Sequence, residues 1–176
     1  TRPAFTTCLP NGMNGTLSFA QVDEMSDAFA IYLREVAGLA QGDRVALQMP
    51  NWLAFPVAAF GVLKAGCILV NVNPLYTPRE LEHQLRDSGA KAIVILENFA
   101  TTLEKVIGET PVETVVTTSV GDLFGTPKRQ IVNFVVKRIR KQVPAYDLPD
   151  AVTFRDVLYD GASLVFQPPD MDLGDL

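Results

Sequence analysis

The side chains that most often carry chemistry are few and scattered in this chain. His83 is the only histidine, and Cys8 and Cys67 are the only cysteines, among 176 residues. His83 sits among Glu82, Gln84 and Arg86 in a stretch with helical spacing, which reads as a solvated helix position rather than a general base. One histidine and two separated cysteines with no CxxC pair exclude an ordinary zinc site. Glu80 and Glu82 face different sides of a helix, so they do not form a paired-carboxylate site. Gly61 and Gly66 have the spacing of a phosphate loop. However, Cys67 stands where lysine is required, and the pair falls late in an apolar helical run, so helix packing and a C-terminal cap explain it. No GxGxxG fingerprint occurs, which leaves a dinucleotide site without support. On this reading the chain holds no catalytic residue and no metal ligand.

Two clusters remain. Around Asn73, Tyr76, Thr77 and Arg79, a loop runs into a helix whose first free N–H groups could meet a phosphate. The competing role is structural: Thr77 as N-cap, Pro78 in the first helical position and Glu80 closing a capping box use the same terminus. The second cluster is basic. Lys128, Arg129, Lys137, Arg138, Arg140 and Lys141 gather in a chain of net charge −5, with no acidic residue between Asp122 and Asp147. Two readings stand for it. It is a surface helix whose cations stay in water while its valines pack, or Lys137, Arg138, Arg140 and Lys141 meet an anionic membrane surface or an acyl chain.

The elements that would position these groups follow from periodicity. Residues 1–16 read as an entry segment with a turn at Pro10-Asn11-Gly12, and the sequon-like Asn14-Gly15-Thr16 reads as a turn as well. Ser18 and Gln21 have capping-box spacing. Val22, Met25, Phe29, Leu33 and Val36 then make one helical face, closed by Gly38. Arg44–Met49 is the first clear strand. A helix starts near Asn51, but Pro56 conflicts with that start; the helix begins nearer Leu53 or kinks. It ends at Gly66. Trp52–Val72 is apolar except for Lys64 and Asn71, yet its proline and glycines fit a buried helix and strand better than a membrane span. Strands are expected at Ile68–Val72, Ala92–Leu96 and Thr114–Thr118. Between them fall a helix from Thr77 to Gly89, with Leu81 and Leu85 inward, and a short one carrying Phe99, Leu103, Val106 and Ile107. Gln130–Val143 is expected to be helical, with Val132, Val135, Val136, Ile139 and Val143 on one face and Pro144 as the stop. Thr153 with Asp156 caps a last short helix.

Strands alternating with helices predict an α/β fold: a mostly parallel open sheet with helices on both faces, of flavodoxin-like or Rossmann-like type. The length suits one domain with a sizeable core. A hydrophobic content of 48% excludes a disordered chain, and the acidic balance excludes a general nucleic-acid binder. With no signal peptide, reduced thiols and a cytoplasmic location are expected, with attachment to the inner face of the cytoplasmic membrane if the basic helix touches lipid.

The phrase Val70-Asn71-Val72-Asn73-Pro74-Leu75-Tyr76-Thr77-Pro78-Arg79-Glu80-Leu81 resembles the acyl-adenylate-forming enzymes, supported by Leu17–Ala30, Gly42–Asn51 and Ala58–Cys67. Within that superfamily, residues 73–94 together with residues 135–154 are most similar to bacterial long-chain fatty acid–CoA ligases. The resemblance covers essentially the whole chain. It implies that residues 1–167 form an α/β subdomain of the large N-terminal domain, with a basic helical insertion at about 121–150. Residues 168–176 then form an acidic linker toward a Gly/Thr-rich phosphate loop that this sequence does not contain. By resemblance the parent uses ATP, Mg²⁺ and coenzyme A to convert a fatty acid to its CoA thioester through acyl-AMP, and this part alone is expected to be inactive and to bind no cofactor. The same resemblance places the Asn73–Thr77 loop near a coenzyme A entry face. A ligase for another acid and a free-standing binding module are the alternatives. An open sheet edge leaves self-association, as a homodimer, among the expected partners.

Overall fold

The computed structural model describes residues 2–10 and 12–170. Five parallel strands form its main sheet: β3 (Arg44–Gln48), β4 (Ile68–Asn71), β5 (Ala92–Leu96), β6 (Thr114–Thr118) and β7 (Val152–Thr153). Their spatial order is β4-β3-β5-β6-β7. The chain steps outward from β3 to β4, then returns across β3 to β5, and continues in that direction. This is the flavodoxin-like order with its reversal between β3 and β5.

The pleat explains why both faces of the sheet are covered. Val45, Leu47, Val94, Leu96 and Val116 point to one side, where they join α1 (Phe19–Ile31), α2 (Ala54–Lys64), α5 (Lys128–Phe134) and α6 (Phe154–Ala162) in one apolar core. Ala46, Ile93, Ile95 and Val115 alternate to the other side, against Leu81 and Leu85 of α3 (Pro78–Ser88) and Leu103 of α4 (Ala100–Glu104). Strands buried on both faces read as near-continuous apolar runs, as AIVIL in β5 does. Full burial of Leu81 and Leu85 contributes about 2 kcal/mol each to holding α3 on the sheet.

Several local expectations are met. Ser18 accepts from the Gln21 N–H while the Gln21 side chain accepts from Ser18 N–H, closing the box that starts α1. Gly38, Gly66 and Gly89 all take left-handed φ just past helix ends, where a side chain would be strained. At Gly89 the guanidinium of Arg44 adds a second cap: its Nε donates to Ser88 O (2.9 Å) and its Nη2 to Gly89 O (3.0 Å). The conflict over Pro56 resolves toward the later start. The helix N-cap is Leu53, so Pro56 falls in the first turn, where no N–H is needed.

Other expectations are corrected. The entry segment read at 1–16 holds a hairpin of β1 (Pro3–Cys8) and β2 (Asn14–Ser18), with Asn14-Gly15-Thr16 in the second strand rather than in a turn; the turn read at Pro10-Asn11-Gly12 includes Asn11, which lies outside the described residues. Alternation there is weak because most of the hairpin faces solvent. The α1 face does not run on to Val36. A wider turn with i→i+5 bonding at Tyr32–Val36 inserts an extra residue, rotates the phase and leaves Val36 53% exposed. The same device ends the basic helix early. After Lys128–Phe134 a wide turn spans Val135–Ile139, so Ile139 swings out to 65% exposure and Val143 lies beyond the helix. The stop is therefore four residues before Pro144, with Lys141 at φ 48. The short helix closes at Glu104, leaving Val106 and Ile107 in the turns that follow. Strand β7 was not expected; two residues are too few to give a period. The acidic linker read at 168–176 lies, from residue 171 on, outside the described residues.

Candidate functional site

The Asn73–Arg79 loop is built as a cap. Asn73 Oδ1 accepts from Leu75 N–H (3.0 Å), folding the chain back at the end of β4, and Tyr76 N–H donates to Asn73 O (3.2 Å). Thr77 Oγ1 accepts from Glu80 N–H, and the Glu80 carboxylate accepts from Thr77 N–H and from the Thr77 hydroxyl, both at 2.8 Å. Hydrogen bonding to Thr77 N–H, and secondarily to its hydroxyl, holds the Glu80 carboxyl below the usual range. At this terminus Thr77 N–H is thus taken by the chain's own carboxylate and Glu80 N–H by the Thr77 hydroxyl oxygen. Arg79 and Thr77 border an open concavity with Glu80 and His83, and His83 itself is exposed.

The other chemical candidates are also structural. Cys67 is buried, and burial first, then the nearby Asp43 charge, pushes its thiol up to about 11. At pH 8 about 0.1% of such a thiol is ionised, so Cys67 is no nucleophile. Gly61 lies against Phe29 of α1, which is the packing role its surroundings suggested. No group of three or more His, Cys, Asp or Glu that could hold a metal occurs among the described residues.

In the basic segment, Lys137 is already committed: its Nζ lies 2.7 Å from Glu97 Oε2, and Glu97 is buried at the end of β5. Arg138, Arg140 and Lys141 make no ion pair among the described residues. Beside them Ile131, Phe134 and Ile139 are exposed. No helix among the described residues is long and apolar enough to cross a membrane.

The structure assembles a feature that motif reading missed. At the carboxyl ends of β3 and β5 the following loops leave to opposite faces, because α2 packs on one side and α4 on the other. Between them opens a cavity of about 480 Å³, reached from the hairpin turn, the Pro50–Trp52 loop, the Leu96–Phe99 turn and the basic helix. Trp52 and Asn98 lie in its wall. Asn98 Nδ2 donates to Gln142 O (3.0 Å), which ties the segment after the basic helix to the sheet. Trp52 Nε1 and Asn98 Oδ1 are buried with no hydrogen-bond partner among the described residues. The available signal was topological: in such sheets the crevice lies beyond the strand ends at the reversal of strand order.

The sheet order and the cavity at its reversal define an open α/β domain. A family profile for the AMP-binding enzymes matches residues 1–163, and the chain belongs to that family. It is 54% identical over 175 residues to a protein of Escherichia coli O6:H1 named Long-chain-fatty-acid--CoA ligase, and 53% identical over 175 residues to one of the same name from Haemophilus influenzae. Each alignment takes in 99% of this chain, which spans 30% of the relative's length. Among solved structures, the acyl-CoA synthetase of Brucella canis superimposes with a TM-score of 0.67 at 21% identity, over 90% of this chain and 24% of that one. The A domain of the carboxylic acid reductase of Segniliparus rugosus, in complex with AMP and a carboxylic acid, gives a TM-score of 0.70 at 17% identity, over 98% of this chain and 30% of that one. These two likenesses concern the fold.

Proposed function

We propose that this chain is the N-terminal part of an ATP-dependent long-chain fatty acid–CoA ligase and that it supplies scaffold rather than catalytic groups. The observation that carries this reading is the 54% identity along 99% of the chain to a relative of that name. In the parent reaction a fatty acid carboxylate attacks the α-phosphorus of ATP and pyrophosphate leaves. The coenzyme A thiolate then attacks the acyl carbonyl and AMP leaves. Charge develops at the phosphates in the first step, so fixed N–H donors are needed there. Here the Thr77 terminus is capped by Glu80, which favours a structural role for it. On this reading the residues that handle ATP belong to the rest of the parent, and this chain contributes the sheet that supports them.

The test is product formation from palmitate, ATP, Mg²⁺ and coenzyme A. The 176-residue chain is expected to form neither acyl-AMP nor acyl-CoA, while the longer protein continuing this sequence forms palmitoyl-CoA. Acyl-AMP from the chain alone overturns the scaffold role. A longer protein that prefers an aryl acid overturns the long-chain assignment, and a 36% identity over 108 residues to a 4-coumarate--CoA ligase of Oryza sativa makes that comparison the relevant one.

The parent is read as cytoplasmic, with the basic helix as its contact to an anionic membrane surface. Exposed Ile131, Phe134 and Ile139 beside unpaired cations support this. With Lys137 held by Glu97, the contact falls to Arg138, Arg140 and Lys141. Sedimentation with phosphatidylglycerol vesicles should drop severalfold in the R138E/K141E variant and at high salt. Equal sedimentation of variant and wild type removes the contact.

A further inference from the structure

We propose that the outer edge of β4 pairs with a further parallel strand, supplied by the part of the parent outside this chain. This rests on the reading of the chain as part of a longer protein; the relative from Escherichia coli O6:H1 is matched over 30% of its length. β4 is the end strand of the sheet, with β3 on one side and no strand on the other among the described residues. Ile68 N–H donates to Asp43 O (2.8 Å), and Val72 N–H donates to Leu47 O (3.0 Å). Alternate residues of a parallel strand bond to opposite neighbours. Ile68, Val70 and Val72 therefore face β3, while Leu69 and Asn71 turn their backbone groups outward.

Folded chains blunt such an edge with a lysine, a proline, a bulge or a very short strand. β7, at the opposite edge, is two residues long. β4 reads Ile-Leu-Val-Asn, with neither lysine nor proline and in unbroken register with β3. Ile68 is 50% exposed, and Phe60 and Leu63, on the helix that leads into β4, are exposed as well. An apolar, undefended edge fits the inside of a wider sheet. The groups already in use select the partner. Gln84 Nε2 donates to Asn71 O (3.0 Å), and Cys67 N–H donates to Val62 O (3.0 Å). A second copy related by a two-fold axis would lie antiparallel, and an antiparallel pair exchanges both backbone groups of each residue. Asn71 has its carbonyl taken and Cys67 its N–H, so only Leu69 offers both. A parallel strand needs the carbonyl of one residue and the N–H two residues further on. Leu69 O with Asn71 N–H, and Cys67 O with Leu69 N–H, meet that need twice. The rest of the sheet is parallel as well.

The test is hydrogen exchange at single amides, compared between the 176-residue chain and the longer protein continuing this sequence. Leu69 and Asn71 N–H should exchange freely in the chain and about a hundredfold more slowly in the longer protein. Val70 N–H faces β3 and should be protected in both. Asn71→Pro removes an outward N–H, which an edge strand tolerates. It should leave the urea midpoint of the chain nearly unchanged and lower that of the longer protein, whereas Asn71→Ala, which keeps the N–H, should lower neither. Equal exchange of Leu69 and Asn71 in the two proteins overturns the proposal, and this comparison needs no variant. Protection that grows with the concentration of the chain alone also overturns it, because the edge then belongs to a second copy. An equal fall of both midpoints in Asn71→Pro overturns the outward placement of Asn71. Palmitoyl-CoA formation by the longer protein is measured separately. An active ligase with an open β4 edge overturns this inference alone, and a protected edge in an inactive protein overturns the ligase reading alone.

Discussion

Gly161→Ala should destabilise the chain by about 3 kcal/mol or more, although the same change on an open helix surface would stabilise it. Gly161 is on α6 where that helix crosses α1. A Cβ built there would overlap the Ala28 carbonyl oxygen and lie 2.7 Å from the Ala28 carbonyl carbon. The obstacle is backbone, not the end of a mobile side chain, so relief requires the two helices to separate. Separation would also pull Phe154 from Phe29, whose ring centroids are 5.3 Å apart in the middle of the larger core. The gain in helix propensity, about 1 kcal/mol, is too small to compensate. Gly108→Ala is the control: nothing lies within 4 Å of its Cβ position, and its effect should stay within about 0.5 kcal/mol. Urea unfolding followed by Trp52 fluorescence measures both. An unchanged or raised midpoint for Gly161→Ala would mean that α6 does not seat on α1 as described.

That glycine shows where sequence reading stops. Elements whose cause is local were legible. The α3 start follows from Thr77, Pro78 and Glu80 alone, β5 from an unbroken apolar run, and the ends of α2 and α3 from Gly66 and Gly89. Elements whose cause is distant were not. The wide turns at Tyr32–Val36 and Val135–Ile139 break the helical phase, and nothing in the adjacent residues announces them. The close approach of Gly161 to Ala28 joins residues far apart in sequence. The cavity belongs to the second kind. Its wall is assembled from turns that meet only when β3 and β5 lie side by side, and the residues concerned, Trp52, Asn98 and Phe99 among them, belong to no motif. The phrase around Asn73 is the converse case. It is distinctive because a strand end, a turn, an N-cap and a proline must all fit in a few residues, so it marks the family through structure rather than through chemistry.

Lys137→Ala should cost about 3 kcal/mol, the low end of what is lost when one partner of a buried ion pair is removed. The asymmetry of the pair sets the size. Glu97 retains only 5% of its side-chain exposure, whereas Lys137 retains 44%, so the deletion strands a carboxylate that cannot regain water while the lysine could have done so. The other carboxylate oxygen, Glu97 Oε1, already lacks a partner among the described residues, which leaves nothing to absorb the charge. The double variant E97Q/K137A should recover most of the loss, because a neutral amide is far cheaper to bury than an unpaired carboxylate. Arg138→Ala, one residue away and unpaired, should change stability by less than about 0.5 kcal/mol. Added salt should leave the Lys137→Ala difference nearly intact, since a pair with one buried member is poorly screened. Urea midpoints for the four proteins decide the matter, and a Lys137→Ala midpoint equal to that of Arg138→Ala would refute it. The consequence reaches the cavity. Glu97 lies between Leu96 and Asn98, both in the cavity wall, and Asn98 holds Gln142 just past the basic helix. Lys137–Glu97 and Asn98–Gln142 therefore pin this helix to the sheet at successive residues of one turn. Loss of the first contact should loosen the wall that carries Val135, Val136 and Arg140, so faster amide hydrogen exchange in that helix is expected to accompany the loss of stability in Lys137→Ala and to return toward the wild-type rate in the double variant.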